Sequence, residues 1–178
     1  MLTNEQLSQR LKKIRIVVLD VDGVMTRGEI ILGAQDEFKI YNGLDGHGIR
    51  LLLRHGFKVA IITGRRSASV ERRAAELGIE DVIQDAKTKR PFFEELLQRH
   101  RLRPDEALYI GDDLPDLPPM RMAGVGVAVA SAHEELLARA DYVTQKNGGC
   151  GAIREVCDLL LKAQGKWDEA MARYLEDE

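Results

Sequence analysis

Asp20-Val21-Asp22-Gly23 follows directly on an apolar run, Ile14-Arg15-Ile16-Val17-Val18-Leu19. Two carboxylates with one residue between them, at the end of a buried strand, cost stability unless a cation or a reacting group compensates them. The glycine behind them lets the chain turn sharply and lets a ligand approach the backbone. Such a pair suits metal-dependent attack by one carboxylate while the other moves a proton. A plain strand end followed by an Asx turn has the same composition. The string therefore gains meaning only from others that share its context: Thr63-Gly64-Arg65, Lys89 just ahead of Pro91, and Gly111-Asp112-Asp113-Leu114-Pro115-Asp116.

The elements that must position these residues follow from periodicity and punctuation. Asn4 to Lys13 reads as a short polar helix and Arg15 to Leu19 as the first strand. Gly28 to Leu32 and Glu37 to Tyr41, joined by Gly33-Ala34-Gln35-Asp36, read as a β-hairpin. Helices are expected over Gly46–His55, Ser67–Leu77, Pro91–Arg99, Pro115–Met122 and Glu134–Arg139. A last long helix is striped by Ile153, Val156, Leu160 and Leu161. Gly78 stops the second of these helices, and Pro91 sits in the first turn of the third. Strands are expected at Lys58–Ile62, Asp81–Gln84, Ala107–Ile110, Val125–Val129 and Tyr142–Val143. Alternating strands and helices imply an α/β fold, a doubly wound, Rossmann-like parallel sheet with right-handed crossovers. Ligands of such sheets lie beyond the carboxyl ends of the strands. Asp20, Thr63 and Asp112 each fall just past a strand end, so three distant polar residues are expected on one edge.

Length and composition bound the rest. A chain of 178 residues accommodates one domain with a sizeable core. That domain is expected over 1–178, with a flap at about 24–42 and a C-terminal helix and tail at about 151–178. A net charge of −3 gives no support to nucleic-acid or membrane binding. Cys150 and Cys157 do not make a disulfide framework and read as reduced thiols. No apolar stretch has the length of a signal peptide core or a membrane span, so a cytoplasmic location is expected.

The order and spacing of the four strings resemble the haloacid dehalogenase superfamily of phosphotransferases, from about Arg15 to the final helix. The resemblance implies a Mg²⁺-dependent reaction through an aspartyl-phosphate. Asp20 would attack, and Asp22 would act as acid and then base. Asp20 and Asp112 would offer carboxylates to the metal, and Asp22 its backbone carbonyl. Thr63 and the N–H groups around Gly64 would hold phosphoryl oxygens, and Lys89 would add a fixed positive charge. Lys87 and Arg90 compete as ordinary solvated bases, and the family pattern selects Lys89. Asp113 and Asp116 would orient ligands and waters. His47 reads as structural or peripheral.

Many members of that superfamily carry a cap domain over the site. Here 43 positions separate Asp20 from Thr63 and 49 separate Thr63 from Asp112, too few to hold one. The chain resembles most closely a capless subgroup, the 3-deoxy-D-manno-octulosonate 8-phosphate phosphatases. The match includes Asp45-Gly46-His47-Gly48-Ile49-Arg50, Ala140-Asp141-Tyr142-Val143-Thr144 and Gly148-Gly149-Cys150-Gly151-Ala152. This resemblance implies a sugar-acid phosphate substrate, a role in lipopolysaccharide precursor synthesis, and a homotetramer whose flaps and C-terminal segments close neighbouring sites. Leu44 and Cys150 stand where the subgroup commonly has basic residues. Arg65 and Arg66 are then the candidates for the substrate carboxylate, and a nine-carbon sialic-acid-type 9-phosphate is an alternative substrate. A receiver-like signalling module would also use Asp, Thr and Lys at strand ends, but it gains nothing from a proton donor at Asp22. A non-catalytic oligomerisation module would not need all four strings.

Overall fold

The short β-branched runs pair as a fully covered parallel sheet would require. The computed structural model describes residues 1–34 and 37–175. In chain order the elements begin with α1 (Asn4–Leu11), β1 (Ile16–Leu19), β2 (Ile31–Leu32), β3 (Glu37–Phe38), α2 (Gly43–Arg54) and β4 (Lys58–Ile62). They continue with α3 (Ala68–Leu77), β5 (Asp81–Ile83), α4 (Lys89–His100), β6 (Ala107–Gly111) and α5 (Leu117–Met122). Last come β7 (Val125–Ala128), α6 (Glu134–Leu137), β8 (Tyr142–Val143), α7 (Ala152–Ala163) and α8 (Trp167–Leu175).

Six strands form one sheet in the order β5-β4-β1-β6-β7-β8, and every pairing in it is parallel. At its centre Val17 of β1 pairs with Val59 of β4 on one side and Leu108 of β6 on the other. All residues of β1, β6 and β7 are buried. Helices flank the sheet: α2 packs on α3 and α7, with α1 and α8 against α7, whereas α4 packs on α5. The chain leaves the central strand in one direction through β4 and β5, then returns through β6. The strand order therefore reverses between β1 and β6, and at that switch point the two following loops diverge and leave a crevice.

Several boundaries differ from the sequence reading: α4 begins at Lys89 rather than Pro91, α5 at Leu117 rather than Pro115, and α6 ends at Leu137 rather than Arg139. The helix α2 begins at Gly43 rather than Gly46, because Asn42 Oδ1 accepts from the N–H groups of Leu44 and Asp45 at 2.8 and 3.3 Å. The C-terminal helix is two helices, α7 and α8, and Ala170 of the second is buried in the core. The hairpin strands β2 and β3 hold two residues each, Ile31 opposite Phe38 and Leu32 opposite Glu37. Gln35 and Asp36 of the expected turn, and residues 176–178 of the expected tail, lie outside the described residues.

Past the end of α7, the Gln164 side-chain amide donates to the carbonyls of Leu11 and Ile14 at 2.9 and 2.8 Å. One side chain so joins α7, the end of α1 and the entry to β1.

Candidate active site

Asp20 follows β1 and Asp112 follows β6, the two strands that border the crevice. Asp20 is held at its backbone by the Ile110 carbonyl, which accepts its N–H at 3.1 Å. The loop behind it is stitched by Thr26, whose Oγ1 accepts from the N–H groups of Gly23 and Gly28 at 3.4 and 3.2 Å. Gly23 has φ +96°, and a Cβ there would lie 1.9 Å from Asp112 Oδ2. Only glycine lets these two loops meet so closely.

Lys89, the first residue of α4, reaches from the opposite wall. Its buried ammonium donates to Asp20 Oδ1 at 2.5 Å and to Asp116 Oδ1 at 2.6 Å. Asp116 is saturated: Oδ1 also accepts from the Tyr109 hydroxyl at 2.7 Å, and Oδ2 from the N–H groups of Asp112 and Asp113 at 3.1 and 3.4 Å. It ties Lys89, β6 and the Asp112 loop together. The Asp112 carboxylate has no such donors among the described residues.

Three carboxylates, Asp20, Asp112 and Asp116, present oxygens within 4.8 Å of one another, and one ammonium faces them. Burial, then repulsion from Asp116, pushes the Asp20 carboxyl up to about 7 despite Lys89. Burial, with the charges of Asp20 and Asp116, pushes Asp112 up to about 8. Burial alone would depress Lys89, but Asp20 and Asp116 hold its ammonium above the ordinary lysine value. The site is short of positive charge, and its free donors are hard oxygens. A divalent cation of the magnesium type fits that deficit, with Asp20 and Asp112 able to hold it.

Thr63, buried just past β4, and the exposed Arg65 complete the same cleft, of about 420 Å³, together with Asp22, Gly64 and the exposed Asp113. A cavity of about 410 Å³ lies elsewhere, against Lys12, Arg15 and Phe57, so chemistry rather than size distinguishes the cleft. Lys87, the competing base, donates to the Gly64 carbonyl at 2.5 Å and lines the cleft, whereas the ion pair to Asp20 comes from Lys89. Arg66 is turned outward near Asp85, at 3.9 Å, so only Arg65 of the two arginines reaches the cleft. His47 contacts the Tyr174 hydroxyl at 3.1 Å, away from this group.

Besides Glu37, two participants were missed in the sequence. Lys39 pairs with the Asp22 carboxylate and, at 2.8 Å, with Glu37, while Glu37 accepts from Arg65 at 2.6 Å. The side chain of Lys39 is 2% exposed, whereas Phe38 and Ile40 are 66% and 72% exposed. The ribbon alternates as a strand should, but its polar face is the inner one. Burial opposes the charge on Glu37, yet Lys39 and Arg65 hold its carboxyl below the usual range. Tyr109 is the second: one hydroxyl in an otherwise aliphatic strand, and that oddity was its only signal.

Comparison with known proteins agrees with this geometry. The model of haloacid dehalogenase-like hydrolases matches residues 30–124. The 3-deoxy-D-manno-octulosonate 8-phosphate phosphatase KdsC of Escherichia coli K12 is 50% identical over 167 residues, covering 93% of this chain and 89% of its own. A solved structure of that phosphatase from Moraxella catarrhalis, in complex with magnesium, phosphate and a KDO molecule, superposes with a TM-score of 0.94. It has 42% identity and covers 97% of this chain and 99% of its own. A probable yrbi family phosphatase from Pseudomonas syringae pv. phaseolica gives 0.96 and 44%, over 98% and 100% of the two chains. The chain belongs to the haloacid dehalogenase-like hydrolases, within the group of the 3-deoxy-D-manno-octulosonate 8-phosphate phosphatases.

Proposed function

We propose that the protein is a magnesium-dependent phosphatase that hydrolyses 3-deoxy-D-manno-octulosonate 8-phosphate to the free sugar acid and phosphate. The observation that carries this reading is the meeting, at the switch point, of buried Asp20, its partner Lys89 and the under-neutralised Asp112. Asp20, Asp112 and the Asp22 carbonyl would hold magnesium, which when bound would supply the positive charge that lets an anionic nucleophile approach a phosphate ester.

Asp20 attacks phosphorus as the ester P–O bond breaks, and Asp22 gives its proton to the departing C8 oxygen. Asp22 then takes a proton from water, whose oxygen attacks the aspartyl-phosphate. Inorganic phosphate leaves and Asp20 is restored. Thr63 and the N–H groups around Gly64 hold the phosphoryl oxygens, and Lys89 offsets their charge. Arg65 takes part in holding the substrate. Asp113 and Asp116 orient their neighbours, Asp116 through the four bonds described above.

The whole of 1–178 serves as one domain, with the ribbon region at about 24–42 as its flap. With no cap between the strings, closure falls to the flap, and the exposed apolar side chains of Phe38, Ile40 and Leu32 fit burial against another copy. We extend the reading to a cytoplasmic homotetramer in which neighbours complete each cleft, with a role in lipopolysaccharide precursor synthesis.

The test is phosphate release from the eight-carbon 8-phosphate and from nine-carbon sugar-acid 9-phosphates, with magnesium and with chelator. Preference for the 8-phosphate that chelator abolishes is expected. Preference for a 9-phosphate would overturn the substrate, and undiminished turnover in chelator would overturn the metal. Asp20→Asn, nearly the same shape, should lose turnover without loss of fold.

A further inference from the structure

The helix α7 starts without a side-chain cap of its own, because its N-cap residue is Gly151. The cap comes instead from Asp45, in the first turn of α2 and buried. Its Oδ2 accepts from Gly151 N–H at 3.1 Å and its Oδ1 from Arg154 N–H at 2.8 Å. A carboxylate suits the start of a helix both as acceptor and as charge. The group comes from an element 106 residues away in sequence.

What lies immediately before α7 makes the arrangement consequential. Gly148 and Gly149 press on the loop behind Asp20. A Cβ on Gly148 would stand 1.6 Å from the Gly23 carbonyl oxygen, and one on Gly149 would stand 2.5 Å from Thr26 C. Gly149 N–H donates to the Val24 carbonyl at 2.9 Å, and the Gly149 carbonyl accepts from Asn42 at 3.3 Å. Gly148 N–H donates to Ser131 Oγ at 3.2 Å. Gly23 in turn abuts Asp112 with no space for a methyl group.

We propose that Asp45 is a positioning residue for the reaction. It clamps the Gly148–Gly151 turn against the Gly23–Thr26 loop, and through Gly23 it sets the separation of Asp20 and Asp112. Close-packed backbone transmits small displacements because it has no slack to absorb them.

This inference rests on the reading of Asp20 and Asp112 as the metal-holding pair, and its test separates the two. Magnesium binding to the parent and to Asp45→Asn is measured by calorimetry, together with amide hydrogen exchange over residues 21–28. Asp81→Asn serves as a control, since among the described residues Asp81 pairs with Arg99 and His100, on the edge strand β5. Asp45→Asn should weaken magnesium binding about tenfold or more, as for residues that orient metal ligands. It should also speed exchange over 21–28 and lower kcat more than KM for p-nitrophenyl phosphate. Asp81→Asn should lower the melting temperature and leave these quantities within twofold. Ser131→Ala, a milder cut in the same stack, should shift magnesium affinity in the same direction and keeps the test open if Asp45→Asn fails to fold. Unchanged magnesium affinity and unchanged exchange in folded Asp45→Asn, or in Ser131→Ala if the former is unfolded, would overturn the clamp. A parent that binds no magnesium would instead overturn the reading of the pair, and exchange over 21–28 would still decide whether Asp45 holds the loop.

Discussion

Asp20, Asp112, Asp116 and Lys89 form a buried group with more negative than positive charge, and that imbalance governs how the protein answers to pH and metal. Both Asp20 and Asp112 titrate well above the unfolded aspartate value of about 3.9. Between roughly pH 4 and 8 the metal-free folded chain therefore binds more protons at these two groups than the unfolded chain. Their contribution favours the fold at the acid end of this window and is lost as pH rises through it. In chelator, the melting temperature should be higher near pH 6 than near pH 8. The gain from saturating magnesium should be larger near pH 8, where protons no longer compete. Equal magnesium gains at the two pH values by differential scanning calorimetry would contradict this. Lys89→Met removes the one ammonium and leaves Asp20 and Asp116 facing each other, at a cost of about 3 kcal/mol near pH 8. The loss should shrink near pH 6 as the carboxylates protonate, which urea denaturation at both values would read.

The elements were legible where one physical signal dominated. Aliphatic runs of four or five residues gave the four longest core strands nearly to the residue, and Gly78 ended α3 as its position implied. Asp20, Thr63 and Asp112 were legible because strand ends in a doubly wound sheet converge on one crevice, whereas Lys89 was singled out from Lys87 and Arg90 only by the family pattern ahead of Pro91. Local pattern failed where a distant partner decides. Lys39 reads as an ordinary strand lysine until Asp22 and Glu37 face it. Asp45 reads as a helix-start acid until α7 arrives. Asp116 could not be told from Asp113, since its four donors come from Lys89, Tyr109 and two backbone amides. Gly23→Ala tests the loop element directly. The added Cβ must displace Asp112, so kcat should fall about 100-fold with the circular dichroism spectrum unchanged. Retention of more than half the parent kcat would mean that the two loops have slack.

At the scale of the whole molecule, the two-stranded ribbon turns Glu37 and Lys39 toward Asp22 and Arg65 while Phe38 and Ile40 stand exposed. A lone protomer leaves Leu32, Phe38 and Ile40 in water, which is uncommon for three bulky neighbours on one short ribbon. In the tetramer proposed above these side chains are the adhesive. Ile40→Glu should then lower the mass seen by analytical ultracentrifugation and reduce turnover of the sugar phosphate more than that of a small aryl phosphate. An unchanged mass would place the subunit contacts elsewhere.

Gln164 has a chemical vulnerability of its own. Both of its contacts require N–H donors, because Leu11 and Ile14 offer carbonyl oxygens. Deamidation to glutamate would replace those donors with an anion and turn two attractions into two repulsions, for a mass change of about one dalton. Gln164→Glu should accordingly speed amide exchange at the end of α1 and the entry to β1, far from the altered residue in sequence, and unchanged exchange there would show that the two contacts carry little.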